Sequence, residues 1–89
     1  MQLLNLVPAE KAFVLKDGRQ VRTIYELIDE LETMPQSMFK FFVNGAKNDF
    51  ASWVNDVLDE PALATQLRRL QSKNDHQKAI LKHLVGVLR

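Results

Sequence analysis

The segment from Asn48 to Leu58 constrains the fold of this chain more than any other. It opens with Asn48, a preferred helix N-cap, and with Asp49, whose charge suits the positive end of a helix dipole. Large apolar residues then recur at helical spacing, so one face of this helix must be buried. These residues are Phe50, Trp53, Val54, Val57 and Leu58. The sequence therefore predicts an amphipathic helix over 49–58 that carries the single Trp into the core.

A β-hairpin is predicted ahead of this helix. The apolar run Ala12–Leu15 is separated from Gln20–Arg22 by Asp17-Gly18, a dipeptide that favours the two-residue type I′ turn. Such a turn places Val14 opposite Val21 and leaves Phe13 and Leu15 on the other face. Because two strands alone are marginally stable in water, helices must cover at least one side of the hairpin.

Four further helices are predicted from their end signals. A capping box of Thr23 and Glu26 precedes a helix over 24–33, and Pro35 precedes a largely apolar helix over 37–44 that ends at Asn44-Gly45. Pro61 begins a helix over 61–70, and Asn74 or Asp75 caps a last helix over 75–86. The predicted fold class is therefore α+β, mainly α, with an N-terminal β-hairpin packed on four or five short helices.

The predicted core draws on all of these elements. The residues expected to be mostly buried are Phe13, Leu27, Leu31, Phe42, Phe50, Trp53, Val57 and Leu67. At 89 residues and 46% hydrophobic composition, the chain suits one domain spanning 1–89, with residues 1–10 as a candidate arm.

Composition also restricts the chemistry and the compartment. The sequence contains no Cys, which excludes disulfides, thiol nucleophiles and thiolate metal sites. No apolar run approaches the roughly 20 residues of a membrane span, and no basic segment precedes the first leucines as in a signal peptide. We therefore expect a cytoplasmic protein with no membrane partner.

Charge is distributed unevenly along the chain. Residues 1–60 carry six basic and ten acidic side chains, whereas residues 61–89 carry six basic side chains and a single acidic one. The candidate anion contacts in the second half are Arg68, Arg69, Lys73, Lys78 and Lys82. Two observations argue against nucleic-acid binding. The pI is only about 8.1, and no aromatic residues are interleaved with these basic ones. Nucleic acid is therefore a possible partner but not the favoured one.

Titratable residues do not form a recognisable catalytic pattern. His76 and His83 lie seven residues apart, or ~10.5 Å along a helix, too far to share one metal easily. We expect both histidines at the surface, and we expect Asp56, Asp59 and Glu60 to form a solvated helix end. No glycine-rich phosphate loop and no nucleophile elbow is present. The sequence therefore predicts no catalytic residue, no cofactor, no metal site and no enzyme activity.

The order of these segments resembles a small prokaryotic domain family of unknown function. The resemblance spans roughly Phe13 to Leu84 and is most specific in Phe13…Asp17-Gly18 and in Lys47-Asn48-Asp49-Phe50…Trp53-Val54…Asp56-Val57. It implies a compact, mainly helical domain that is found alone or attached to other domains. It implies no activity, no cofactor and no catalytic residue.

Three functions remain open from the sequence. The favoured one is a non-catalytic protein-interaction or regulatory module, whose heterologous partner no motif identifies. An accessory nucleic-acid-binding protein using the basic second half is one alternative. A small-molecule sensor is the other, with a pocket between the hairpin and the helix that bears Met38, Phe39, Phe41 and Phe42.

The last helix predicts self-association. Its apolar stripe is wider than packing on one small domain requires, and further apolar residues lie at the N-terminus: Leu3, Leu4, Leu6 and Val7. A contiguous apolar patch usually marks an interface, and two-fold dimers are the commonest assemblies. We therefore expect a homodimer, with candidate interface residues Leu81, Leu84, Val85 and Leu88.

Overall fold

Five α-helices and two short antiparallel hairpins make up the computed structural model, which describes residues 3–88. A 3-10 turn over Ala9–Lys11 leads into β1 (Phe13–Val14) and β2 (Gln20–Val21). Then follow α1 (Ile24–Thr33), α2 (Gln36–Phe42), β3 (Val43–Asn44), β4 (Lys47–Asn48), α3 (Asp49–Asp56), α4 (Pro61–Arg68) and α5 (Lys73–Leu88). The predicted α+β, mainly α, class with an N-terminal hairpin is confirmed.

The first hairpin has a different register from the predicted one. Phe13 pairs with Val21 and Val14 with Gln20, so the loop is three residues long rather than two. The Leu15 amide donates to the Arg19 carbonyl, and Gly18 adopts a φ of 90° at the end of the loop. This turn needs only one residue at positive φ, which Gly18 supplies, whereas a type I′ turn needs two. The predicted pairing of Val14 with Val21 is therefore wrong.

The one-residue shift changes which side chains face the core. In a strand, such a shift moves every side chain to the opposite face. Phe13, Leu15 and Val21 are all buried, whereas Val14 is exposed. The observed register thus gathers the apolar side chains of both strands on one side.

The second hairpin was not expected from the sequence. Val43 pairs with Asn48 and Asn44 with Lys47, and the Asn44 side-chain oxygen accepts a hydrogen bond from the Ala46 amide at 3.0 Å. This bond closes an Asx turn, which ends α2 and starts the return strand. The hairpin delivers Asn48 directly to the start of α3.

The helix starts follow cap chemistry. Thr23 Oγ1 accepts from the Glu26 amide at 3.1 Å, and Asn48 Oδ1 accepts from the Ala51 amide at 3.0 Å, as predicted for both N-caps. Helix α5 begins earlier than predicted because Ser72 Oγ accepts from the Asp75 amide. The expectation that Asn74 or Asp75 caps α5 is therefore wrong.

The core centres on aromatic rings of the first hairpin, α2 and α3. Phe13 stacks on Phe50 at 4.8 Å between centroids and meets Phe42 edge-on at 5.0 Å. Trp53 Nε1 donates to the Lys11 carbonyl at 2.9 Å. The predicted core residues are buried except Val57, which is partly exposed.

The N-terminal segment also contributes to the core. Leu3 and Val7 are buried. The Val7 amide donates to the Arg22 carbonyl, and the Arg22 side-chain Nε donates to the Val7 carbonyl. Of the apolar residues there, Leu6 is exposed. The N-terminal apolar residues thus belong mainly to the domain's own interior.

Candidate functional site

Helix α5 lies between α1 and α4 and is held by polar contacts on both sides. On the α1 side, Gln77 Nε2 donates to the Ile28 carbonyl at 3.2 Å and to the Glu32 carboxylate at 2.9 Å. On the α4 side, the His83 ring contacts the carboxylate of Glu60, which precedes α4, at 2.8 Å. One face of α5 is left between these contacts, and it points to solvent.

The inner face of α5 is fully used by the core. Ile80 and Leu84 are buried, and Val87 packs against the same cluster. Leu84 is only 4% exposed, so the expectation that it belongs to an interface is not met. The reason is helical geometry, since Leu84 lies one turn from Ile80 and shares its direction.

The outer face of α5 carries large apolar residues. Leu81, Val85 and Leu88 are 44%, 53% and 62% exposed. Their spacing of four and then three residues places them on one side of the helix. We call these three residues the apolar ridge, and they are the three predicted interface residues that the structure leaves accessible.

Basic residues border the ridge toward α4. Lys78, Lys82 and Arg69 line a groove of about 390 Å³ between α4 and α5. Asp75 lies in the same groove and offsets part of their charge. We call Lys78 and Lys82 the basic edge.

The remaining two candidate anion contacts lie elsewhere. Arg68 lines a separate cleft that includes Lys47 and Gln71. The Lys73 ammonium donates to the Met34 carbonyl just past the end of α1. The structure thus brings Arg69, Lys78 and Lys82 together, and it separates Arg68 and Lys73 from them.

Acidic residues border the ridge on the opposite side, toward α1. Asp29 and Glu32 are exposed and share a face of α1 with Tyr25, which is 47% exposed. Because Glu32 bonds to Gln77 of α5, this face adjoins the ridge. We call Asp29 and Glu32 the acidic edge. The sequence did not predict the acidic edge, because it depends on α1 and α5 lying side by side, and no local pattern encodes that.

The other acids of α1 are engaged within the chain. Glu26 accepts from the Arg22 amide at 2.8 Å, and Glu30 pairs with Arg19 at 2.8 Å. The acidic edge is therefore the part of α1 whose carboxylates adjoin α5, where Glu32 also accepts from Gln77.

His76 is buried at the junction of α3, α4 and α5. It has no exposed surface, so the expectation of a surface histidine is wrong. His76 Nδ1 lies 2.9 Å from the Ser72 carbonyl, and Nε2 lies 2.9 Å from the Asn48 side-chain amide. The sequence signal was the stripe His76, Ile80 and Leu84 at four-residue spacing, which puts the imidazole on the core face.

The partners of Asn48 determine the tautomer of His76. Asn48 Oδ1 accepts from the Ala51 amide and Nδ2 donates to the Leu67 carbonyl, so the amide orientation is determined. Asn48 Nδ2 then donates to His76 Nε2, and Nδ1–H of His76 donates to Ser72. Burial lowers the pKa of His76 below its usual value, which favours this neutral form.

The other titratable residues do not converge on a common centre. Glu60 contacts His83, and Asp56 accepts from Asn55. Within residues 3–88, no group of three or more His, Asp or Glu side chains is placed to hold a metal ion. These contacts hold the end of α3 and the start of α4 in place.

The space expected for a small molecule is filled by aromatic rings. Phe39 and Phe42 are buried, and their centroids lie 6.0 Å and 5.3 Å from that of Phe50. Phe41 is 48% exposed, and the Lys16 ammonium lies 4.4 Å from its ring.

No family model, no curated protein and no solved structure matches this chain. The resemblance to a small prokaryotic domain family therefore stays a prediction. Across the described part of the chain, none of the helices has the length and apolar character needed to cross a bilayer.

Proposed function

We propose that this chain is a non-catalytic protein-interaction module and that its docking surface is the apolar ridge of α5. The observation that supports this is the contrast between the two faces of one helix. The inner face is packed against the core, while Leu81, Val85 and Leu88 are 44–62% exposed side by side. Contiguous exposed apolar residues usually mark an interaction site. As a binding surface, the ridge needs no cofactor.

The partner of this surface is a second copy of the chain. Lys78, Leu81, Val85 and Leu88 follow the alternating three- and four-residue spacing of a heptad. Val85 then occupies an a position and Leu81 and Leu88 occupy d positions, a combination that favours two-helix pairing. A dimer through α5 therefore buries the apolar ridge without a partner of different sequence.

The dimer surface must extend beyond the ridge. Stable interfaces bury about 800 Å² on each partner, which exceeds what three partly exposed side chains supply. Tyr25 on one side and the stems of Lys78 and Lys82 on the other are the neighbouring groups that can enlarge it. We also propose a cytoplasmic location, because a chain without Cys suits a reducing compartment.

A second candidate function is accessory nucleic-acid binding. It is supported by the groove that Arg69, Lys78 and Lys82 share. It ranks second because Asp75 lies in the same groove and because the basic set is small.

Oligomeric state tests the proposed function. We expect light scattering to give twice the 10.3 kDa chain mass at micromolar concentration. Leu81→Glu or Val85→Glu should shift the mass toward monomer, because each places a charge inside the apolar contact. Val14→Glu is the matched control, since Val14 is as exposed as Val85 but lies on the first hairpin.

Two results would reject a dimer through the apolar ridge. One is a monomer at high concentration, and the other is a dimer that Val14→Glu disrupts as strongly as Val85→Glu. Tight binding to single-stranded or duplex DNA at physiological salt, lost in Lys78→Glu with Lys82→Glu, would promote the second candidate.

A further inference from the structure

We infer that two copies associate in parallel through this face, about a two-fold axis that runs along α5, so that the acidic edge of each copy meets the basic edge of the other. The inference rests on the proposed dimer and adds its geometry and the set of contacting charges.

The lateral order of groups across the docking face carries the inference. Asp29 and Glu32 of α1 lie on one side of the ridge, because Glu32 bonds to Gln77 at 2.9 Å. Lys78 and Lys82 lie on the other side, where they line the groove toward α4. The face is thus an ordered series of an acidic edge, an apolar ridge and a basic edge.

Symmetry leaves two ways to bring this face against its own copy. A two-fold axis along α5 gives parallel helices and reverses the lateral order, so that each acidic edge meets a basic edge. A two-fold axis across α5, lying within the interface, gives antiparallel helices and keeps the lateral order. Acid then faces acid and base faces base, which is unfavourable for both edges.

The heights of the charges along the helix also match. Lys73 contacts Met34 just past the end of α1, and Gln77 contacts Ile28 and Glu32 farther back, so α1 and α5 run antiparallel. Asp29 and Glu32 therefore lie in the same layer as Gln77 and Lys78. A two-fold axis along the helix preserves height, and it brings Lys78 of one copy level with Asp29 and Glu32 of the other.

The ridge itself is compatible with the parallel arrangement. In parallel helix assemblies, β-branched residues at a with Leu at d favour two strands, and Val85, Leu81 and Leu88 fit that pattern. Lys78 occupies the preceding a position, where a Lys lies beside its own copy, costs stability and specifies register.

Single-cysteine cross-linking tests the arrangement, since the chain has no Cys of its own. Asn74 and Leu88 are both exposed and lie on the ridge side of α5, separated by ~21 Å of helix rise. In the parallel dimer, Asn74→Cys should cross-link to itself and Leu88→Cys should cross-link to itself. A mixture of the two variants, one of them mass-tagged, should give no mixed product.

The opposite pattern separates the inference from the proposed function. Cross-linking only between Asn74→Cys and Leu88→Cys would show antiparallel helices, which overturns the inference but keeps the dimer through α5. A monomer that cross-links no faster than the control Ser52→Cys, placed on exposed α3 surface, would overturn both.

Charge-reversal substitutions test the arrangement independently, through the direction in which they change the strength of association. In the parallel dimer, Lys82→Glu should weaken association roughly three- to tenfold, because two symmetric contacts with the acidic edge become repulsive. Adding Asp29→Lys should restore it, and the single effect should shrink at 1 M salt. In an antiparallel dimer, Lys82→Glu would relieve repulsion between basic edges, and tighter association would therefore overturn the inference.

Discussion

At the scale of single residues, His76 shows how a buried titratable group links stability to pH. Its ring is enclosed by Phe39 and Phe50 and bonded to Ser72 and Asn48. Protonation of Nε2 would point an N–H at the Asn48 amide, which is itself a donor. Burial lowers the pKa of His76 in the folded chain, while the hydrogen bond to the Ser72 carbonyl and the Asp75 charge oppose this more weakly.

We predict that the free energy of unfolding falls as pH decreases through and below ~6.5, the usual pKa of a solvated histidine. In that window the unfolded chain binds a proton that the folded chain does not, so lower pH favours unfolding. Urea denaturation of the native chain and of His76→Leu across pH 5 to 8 measures the effect. Subtracting the free energy of unfolding of His76→Leu from that of the native chain at each pH cancels the contribution of the other titrating groups. A difference that does not vary with pH would contradict the prediction.

Asp59 is a residue whose backbone conformation favours glycine. It adopts a φ of 55° where α3 ends, and the following Glu60 amide donates back to the Val54 carbonyl at 3.2 Å. The positive φ of Asp59 folds the chain back onto the end of α3, and in this conformation glycine avoids the steric cost of a β-carbon. We predict that Asp59→Gly stabilises the fold by up to ~1 kcal/mol. Chemical denaturation measures this, with Asp56→Gly inside α3 as the control that should destabilise.

At the scale of elements, Gly86 lowers the helix propensity of α5, and no close packing requires a glycine there. It lies within the helix, and apart from the adjacent residues and the helix's own backbone, a β-carbon built on it would have no neighbour within 4 Å. We predict that Gly86→Ala raises the free energy of unfolding by about 0.5–1 kcal/mol, because alanine restricts the unfolded chain and favours helix. The measurement is best made in the Leu81→Glu background, where association does not contribute. An unchanged or lower stability would show that something other than helix propensity governs this position.

The elements differ in how far the sequence predicted them. Helix α1 matches its predicted bounds because Thr23, Glu26 and the apolar stripe all indicate the same start. The first hairpin was predicted in kind but not in register, since Asp17-Gly18 suits a three-residue loop as well as a two-residue one. Strands β3 and β4 have two residues each, too few for any periodicity to show.

The candidate site was predictable only in part, for a related reason. The apolar excess of α5 is a local pattern, and it predicted Leu81, Val85 and Leu88 as accessible residues. Leu84 was assigned to the wrong face because the stripe is nearly continuous around the helix. The edges that border the ridge depend on which helices lie beside α5, and that arrangement is a property of the tertiary structure.

At the scale of the whole molecule, Trp53 joins parts that are distant in sequence. Its ring packs edge-on against Phe13 of the first hairpin at 6.1 Å, and its Nε1 donates to the Lys11 carbonyl at 2.9 Å. It is 7% exposed, so α3, the hairpin and the segment before it are held through one side chain. The loss of this side chain should therefore affect the cooperative unit as a whole.

We predict that Trp53→Ala lowers the free energy of unfolding by about 3–5 kcal/mol, the usual cost of truncating a large buried aromatic residue. Small domains have only about 5–15 kcal/mol in total, so this one substitution should remove a large share of the stability. Trp53→Phe is the matched control: it keeps most of the buried ring but removes the bond to Lys11, and it should cost less than half as much. Urea denaturation followed by circular dichroism measures both variants, since the native fluorophore is lost. A loss near 0.5 kcal/mol for Trp53→Ala, typical of surface substitutions, would place Trp53 outside the cooperative core.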